Sequence, residues 1–444
     1  MIEALQRALA IPELKRRILF VLGMLLVFAV GAHIPAPGVD HSALAKYMGR
    51  NGGGGVLGLV DVFSGGALRR MSIFAMGIGP YINASIIMQM MTIAVPSLDA
   101  LSKEGESGRK QIAKITRYLT VALAFVQSFG MTYIFSQSGV HMSFLDRISV
   151  CVTLTAGSSF LLWLGEQVTE KGVGNGVSLV IFAGILLSLP FQIQLITTQV
   201  SSGIVPWFNV IVLIAFFVAT VYAIIFITQG TRRIPIQHAK RVIGMRQTQA
   251  GSSYLPIKVN TAGVIPIIFA ISLMLFPATI LNAIPARTGP LVWLKEHAMS
   301  FNPGNNVPAT LFYALLVVVF TYFYTAIVMN VQEMADNLKK YGNYIPGIRP
   351  GKATYDYLER VISRITLAGA VFLALVAVVQ YIVPTLTGFA NFTLIGGTSL
   401  LIVVGVAIET MHTPFWARFA RCRRAASAVL NMPSEIPQRR SVLS

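Results

Sequence analysis

The sequence predicts an all-α polytopic membrane protein whose ten transmembrane helices form two inverted five-helix halves. Three observations carry that expectation. Hydrophobic residues are 55% of the chain and charged residues 12%, with a mean hydropathy of +0.68, far from the composition of soluble domains. Ten apolar stretches each approach the roughly 20 residues that a helix needs to cross a bilayer. Ten spans divide into five and five, and an odd number per half inverts one half relative to the other.

The spans are centred on Leu26, Ser85, Val126, Ala156, Ala183, Ala219, Ser272, Val318, Leu375 and Ile402. Together with their connectors they use nearly all of the 444 residues, so no separate soluble domain is expected. The first span follows an amphipathic lead, MIEALQRALAIPELKRRILF, with no small-residue cleavage site after it, and is expected to be retained. The second and seventh carry Pro80 and Pro266 beside glycines, which weaken the helical hydrogen-bond ladder. Interrupted helices at matching places in two halves point to a functional path between the halves. The expected division is 1–205 for the first half and 206–444 for the second, the latter with loops at about 231–260 and 331–364 and a basic tail over 412–444.

Orientation follows from Lys and Arg, which are retained on the cytoplasmic side. With the N-terminus inside and sides alternating, 28 of the 35 basic residues fall inside and seven outside, so both termini are expected in the cytoplasm. Two inside segments stand out: TRRIPIQHAKRVIGMRQ over 231–247 and NLKKYGNYIPGIRPGKATYDYLERVISR over 337–364. Topology and attraction to anionic lipid account for much of the net charge of +18. Two long basic loops at adjacent positions also fit a shared receptor surface for an acidic protein or for ribosomal RNA phosphates.

Between the first and second spans, Leu57 to Phe63 is apolar but too short to cross a membrane. It lies either as an interfacial helix or as a re-entrant piece buried in protein, because unpaired backbone in lipid costs several kcal/mol per group. The chain holds no zinc-binding HExxH helix and no GxSxG elbow. GIRPGK over 347–352 has the wrong spacing for a phosphate loop, and Ala353 stands where Ser or Thr would follow the Lys. Asn175 in VGNGVS reads as a helix start. Glu166 and Glu409 lie near the inner ends of the fourth and tenth spans, where snorkelling is cheap. Cys151 falls in an apolar run and Cys422 in the basic tail, so a disulfide between them is not expected. No enzyme, cofactor or metal is expected, and the scarcity of intramembrane charge disfavours a proton relay.

Eight segments, VFSGG, MGIGPYINASIIMQ, LSKEGESGRKQI, WLGEQVTEKGVGNGVSLVIFAGI, AGVIPIIFA, LFPATI, ADNLKKYGNYIPGIRPGKAT and GGTSLLIVVGV, occur in order along the whole chain. In them the chain resembles the bacterial SecY family, the central subunits of protein-translocation channels. The resemblance implies a clamshell of two halves around an hourglass pore, with a lateral gate lined by the second and seventh helices, hence by Pro80 and Pro266. It implies a re-entrant plug at about 57–67, including Leu57, Val60, Val62 and Phe63. It also implies an aliphatic pore ring of Ile82, Ile86, Val177, Ile181, Ile268 and Ile402, with Val177 standing where the family carries isoleucine. An apolar ring suits a pore that must pass any sequence yet block ions, which it does by dewetting. The spacing i, i+4 places Ile82 with Ile86, and Val177 with Ile181, on one helix face each. Gln127 resembles the family's polar gate residue, beside the alternative of an ordinary interhelical hydrogen bond.

By the same resemblance, the two basic loops receive a SecA-like motor ATPase or the ribosome, including its RNA. Arg349 stands at the family's critical arginine, with Lys352 beside it, and Arg232, Arg233, Lys240, Arg241 and Arg246 form a second patch. SecE-like and SecG-like small membrane subunits, anionic lipids, and secretory and membrane polypeptide substrates complete the implied partners. The implied location is the bacterial cytoplasmic (inner) membrane. The function implied is a protein-conducting channel that releases hydrophobic segments sideways into lipid. The alternative is an ion-coupled secondary transporter with inverted repeats.

Overall fold

The computed structural model describes residues 12–39, 61–137, 143–238, 242–243, 246–247, 252–283, 306–389 and 397–411. Its first half contains α1 (Pro12–Gly31), α2 (Gly79–Ala94), α3 (Pro96–Lys103), α4 (Glu106–Gln137), α5 (Phe144–Lys171) and α6 (Gly176–Ser201). The second contains α7 (Trp207–Gln229), strands β1 (Thr231–His238), β2 (Val242–Ile243), β3 (Arg246–Gln247) and β4 (Ser252–Lys258), then α8 (Ile265–Ala283) and α9 (Val307–Val328). It ends with α10 (Val331–Lys340), β5 (Asn343–Tyr344), α11 (Lys352–Thr387) and α12 (Gly397–Met411). Each of the ten predicted span centres lies in its own helix.

Among the described residues, α5, α6, α7, the α9–α10 stretch and α11 are long and apolar enough to cross a membrane by themselves. The pair α2 and α3, bent by 100°, makes a sixth. The bend falls at Pro96, which heads α3 and leaves Val95 extended. By contrast, α1 opens with Lys15, Arg16 and Arg17, while α8 and α12 supply shorter apolar stretches. The chain is thus a multi-pass membrane protein of apolar helices.

Helix packing repeats between the halves. In the first, α1 touches α5 and α6, α2 touches α4, α4 touches α5, and α5 touches α6. In the second, α7 touches α11 and α12, α8 touches α9, α9 touches α11, and α11 touches α12. Shifting each span by five places maps one set of pairs onto the other. Between the halves, α8 packs on α2 and α4, and α12 packs on α6.

The prolines expected to interrupt the second and seventh spans do not do so. Pro80 is the second residue of α2 and Pro266 the second residue of α8, and both are buried. In the first turn the missing N–H removes no intrahelical bond and the fixed φ favours the start, so these prolines begin helices. Interior prolines occur instead at Pro190 in α6, Pro277 in α8 and Pro384 in α11. Asn175 caps α6 as expected, accepting hydrogen bonds from the backbone N–H of Val177 at 3.1 Å and Ser178 at 3.3 Å.

A small sheet stands beside the helices, in the order β4–β1–β5 and antiparallel throughout. In β1, Ile234 and Ile236 are buried while Arg232, Arg233, Pro235 and Gln237 are exposed, a period of two that marks one covered face. Ile234 packs with Ile257, Ile345, Leu358 and Ile362 in a separate apolar cluster that ties both basic loops to the base of α11.

Candidate functional site

Two sites emerge, one between the halves and one on the sheet. The first is an apolar cluster that gathers side chains from both halves: Ile181 of α6 and Ile402 of α12 are buried in it, with Ile82 of α2, Val177 of α6 and Ile268 of α8 packed against it. Ile82, Val177 and Ile268 are only half-buried, although they sit among core residues. Ile86 belongs to the neighbouring cluster centred on α8 and α9, which Ile82 also touches. The structure therefore brings five of the six expected ring residues into one cluster and sets Ile86 one helical turn away, beside it.

Against the same cluster lies the end of the apolar piece that precedes α2. Val62 and Ala67 are buried in it and Phe63 packs on its edge; Leu57 and Val60 lie outside the described residues. The chain reverses at Gly65 and Gly66, whose φ of 75° and 79° are in the left-handed region where glycine carries no steric cost. Gly184 of α6 allows the piece to sit so close: a Cβ there would strike the carbonyl oxygen of Phe63. The backbone is also held internally, with Gly66 N–H donating to the Asp61 carbonyl at 2.8 Å and Ser72 N–H to the Ala67 carbonyl at 2.9 Å. Pairing of Pro35 with Ser72 then anchors the far end to the chain leaving α1.

Gln127 is buried in α4, the helix that α8 packs on, and its amide nitrogen has no hydrogen-bond partner among the described residues. At the far end of α4, Arg117 grips Glu166 of α5 through two hydrogen bonds of 2.9 and 2.8 Å. Glu166 is thus paired, and Glu409 lies exposed in the last turns of α12. Cys151 is a buried free thiol in α5, while Cys422 lies outside the described residues.

The second site is the exposed side of the sheet and the turn before α11. Arg232 and Arg233 are both exposed; Arg233 shares the uncovered face of β1 with Pro235 and Gln237, while Arg232 lies on the face of Ile234, at the strand end where the cover stops. Arg349 and Lys352 are exposed on a turn bounded by Gly347 and Gly351, with φ of 81° and 109°. That turn is fixed from below: the buried Thr354 hydroxyl donates to the Arg349 carbonyl at 2.9 Å, and Ile345 is in the apolar cluster under the sheet. A guanidinium so presented keeps its planar fork free for carboxylate or phosphate. Lys240 and Arg241 fall outside the described residues, as does the tail over 412–444, and Arg246 is placed only by its backbone in β3. Sequence reading missed the sheet that joins the two loops. The alternation in RRIPIQH and SSYLPIK was its signal.

Comparison with known proteins adds three findings. The SecY family model matches residues 72–411. Protein translocase subunit SecY of Staphylococcus epidermidis is 42% identical over 423 residues, covering 93% of this chain and 96% of its own, and that of Staphylococcus aureus is 41% identical over the same coverage. Among solved structures, a SecY whose plug domain stabilises the closed state of the translocation channel and maintains a membrane seal superposes with a TM-score of 0.64 at 20% identity, covering 93% of this chain and 94% of its own. Canine Sec61 in a ribosome–channel complex gives 0.61 at 16% identity over the same shares. At those identities the structural likeness is one of fold.

Proposed function

The chain belongs to the SecY family, and from this we propose that its inter-half cluster is the gated constriction through which polypeptides pass. The protein is a translocase subunit that forms a protein-conducting channel, and the secondary-transporter alternative is not favoured. The observation that carries the constriction is the meeting of Ile82, Val177, Ile181, Ile268 and Ile402, from both halves, with Val62 and Phe63 packed on them. Aliphatic walls grip any chain without selecting its sequence and exclude ions by dewetting when narrow. In this reading residues 57–67 are the plug, and the contacts of α8 with α2 and α4 are the closed lateral gate, with Pro80, Pro266 and Gln127 on its helices.

Opening that gate turns sorting into partition. Each apolar residue of a passing segment gains a few tenths of a kcal/mol in lipid, so about 20 of them outweigh a single polar group. We assign the exposed face of the sheet, with Arg232, Arg233, Arg349 and Lys352, to a motor ATPase or a ribosome on the cytoplasmic side. Lys240, Arg241 and Arg246 extend the same assignment. Small membrane subunits of the SecE and SecG kind and anionic lipids are its proposed neighbours in the bacterial inner membrane, with both termini in the cytoplasm. The proposed halves are 1–205 and 206–444.

Crosslinking tests the constriction. Cys placed at Ile82 or Ile402 should form adducts with an arrested secretory chain, whereas Cys at the exposed Leu311 of α9 should not. Equal yields at all three positions would remove the assignment.

A further inference from the structure

Asp61 and Arg69 flank the Gly65–Gly66 reversal and hold each other twice. One carboxylate oxygen of Asp61 pairs with Nη2 of Arg69 at 2.6 Å, and the other accepts the backbone N–H of Arg69 at 2.9 Å. The side chains are mostly buried, 9% and 15% exposed. On its other face the guanidinium lies over the ring of Phe191 in α6, 3.4 Å from the ring centre. Nε and Nη1 of Arg69 are buried with no hydrogen-bond partner among the described residues. The pair therefore closes residues 61–69 into a ring of chain, and Phe191 fastens that ring to the helix whose Gly184 already touches Phe63.

A charge buried with one partner and one aromatic face is held only while both stay in place. Removing one partner of such a pair strands the other charge away from water, and the cation–π contact strengthens with desolvation. We propose that Asp61, Arg69 and Phe191 form a latch that keeps the 61–69 segment seated against α6, setting the threshold for its release. The proposal rests on the reading of 57–67 as the plug and deepens it. Release moves the ring of chain off Phe191 as a unit, since the hydrogen bonds within 61–72 do not involve α6. Beside the ring, Met71, whose φ of 45° is unusual for a residue with a side chain, ties it to the chain leaving α1, its carbonyl accepting the Ala36 N–H at 2.8 Å.

Three substitutions separate the contacts. Asp61→Asn keeps an oxygen for the Arg69 N–H but removes the charge; Arg69→Gln removes the cation; Phe191→Leu removes the aromatic face from a different helix. The readout is ion conductance of the purified, chain-free channel in planar bilayers, with deletion of residues 57–67 alongside. Each single variant should raise the open fraction about tenfold or more, and Asp61→Asn with Arg69→Gln together should raise it less than the product of the two, as coupled partners do. If the deletion leaks while all three substitutions stay as tight as the parent, the latch is overturned and the plug reading stands. If the deletion itself does not leak, the plug reading fails. Multiplicative effects of Asp61→Asn and Arg69→Gln would overturn the coupling between them.

Discussion

At the scale of single residues, the close approaches make the firmest predictions. Gly184 lets the Phe63 carbonyl rest on α6, so Gly184→Val should push the segment off and raise resting ion conductance without loss of the purified channel. The width of the proposed constriction changes by smaller increments. Val177→Ile restores one methylene, worth about 0.8 kcal/mol of apolar burial, and should lower the residual conductance of the idle channel. Arg349 is exposed on a turn held by its own backbone, so Arg349→Glu should abolish motor-driven translocation while thermal unfolding of the purified channel is unchanged. Normal translocation by that variant would remove the assignment. Arg349 and the aliphatic positions were named from the sequence because they sit in long family motifs. The Asp61–Arg69–Phe191 contacts could not be, since nothing in the chain states that position 191 of one helix faces position 69 of a loop.

At the scale of elements, Gln127 bears on the contact of α4 with α8 and the sheet on the base of α11. Gln127 is buried with an unsatisfied amide nitrogen on the helix that meets α8, and such a group costs about 1–3 kcal/mol. Gln127→Leu removes that cost from the closed arrangement. It should therefore make the proposed gate harder to open, seen as reduced membrane insertion of marginally hydrophobic segments. For the sheet, Leu358 of α11 is wholly buried under it, and Leu358→Ala should cost about 2–5 kcal/mol of local stability. Faster proteolysis over 231–258, with the helices intact, is the expected result. The helices were legible because each is an apolar run near the length of a bilayer. The role of Pro80 and Pro266 was not, because a proline in an apolar run does not say whether the helix continues upstream of it. Only the extended or turned chain before α2 and α8 decides that each begins a helix.

At the scale of the molecule, the five-and-five division was legible from the count of spans, and the repeated packing of α1, α2, α4, α5 and α6 in α7, α8, α9, α11 and α12 gives it physical content. The convergence of the aliphatic residues on one place was not legible from spacing alone, since most such residues in membrane helices face lipid or a neighbour. It follows from how the halves meet. Where they face one another, α2 lies against α8 and α6 against α12, each a helix against its own counterpart, and α8 also lies against α4.

That seam has a mechanical meaning. Packing links the helices of each half in turn, whereas the main contacts between the halves are those of α8 with α2 and α4 and of α12 with α6, so parting the halves disrupts fewer contacts than loosening either one. The sheet β4–β1–β5 belongs entirely to the second half and grows from the chain entering α8. A force on it is therefore delivered to the helix that forms one side of that seam.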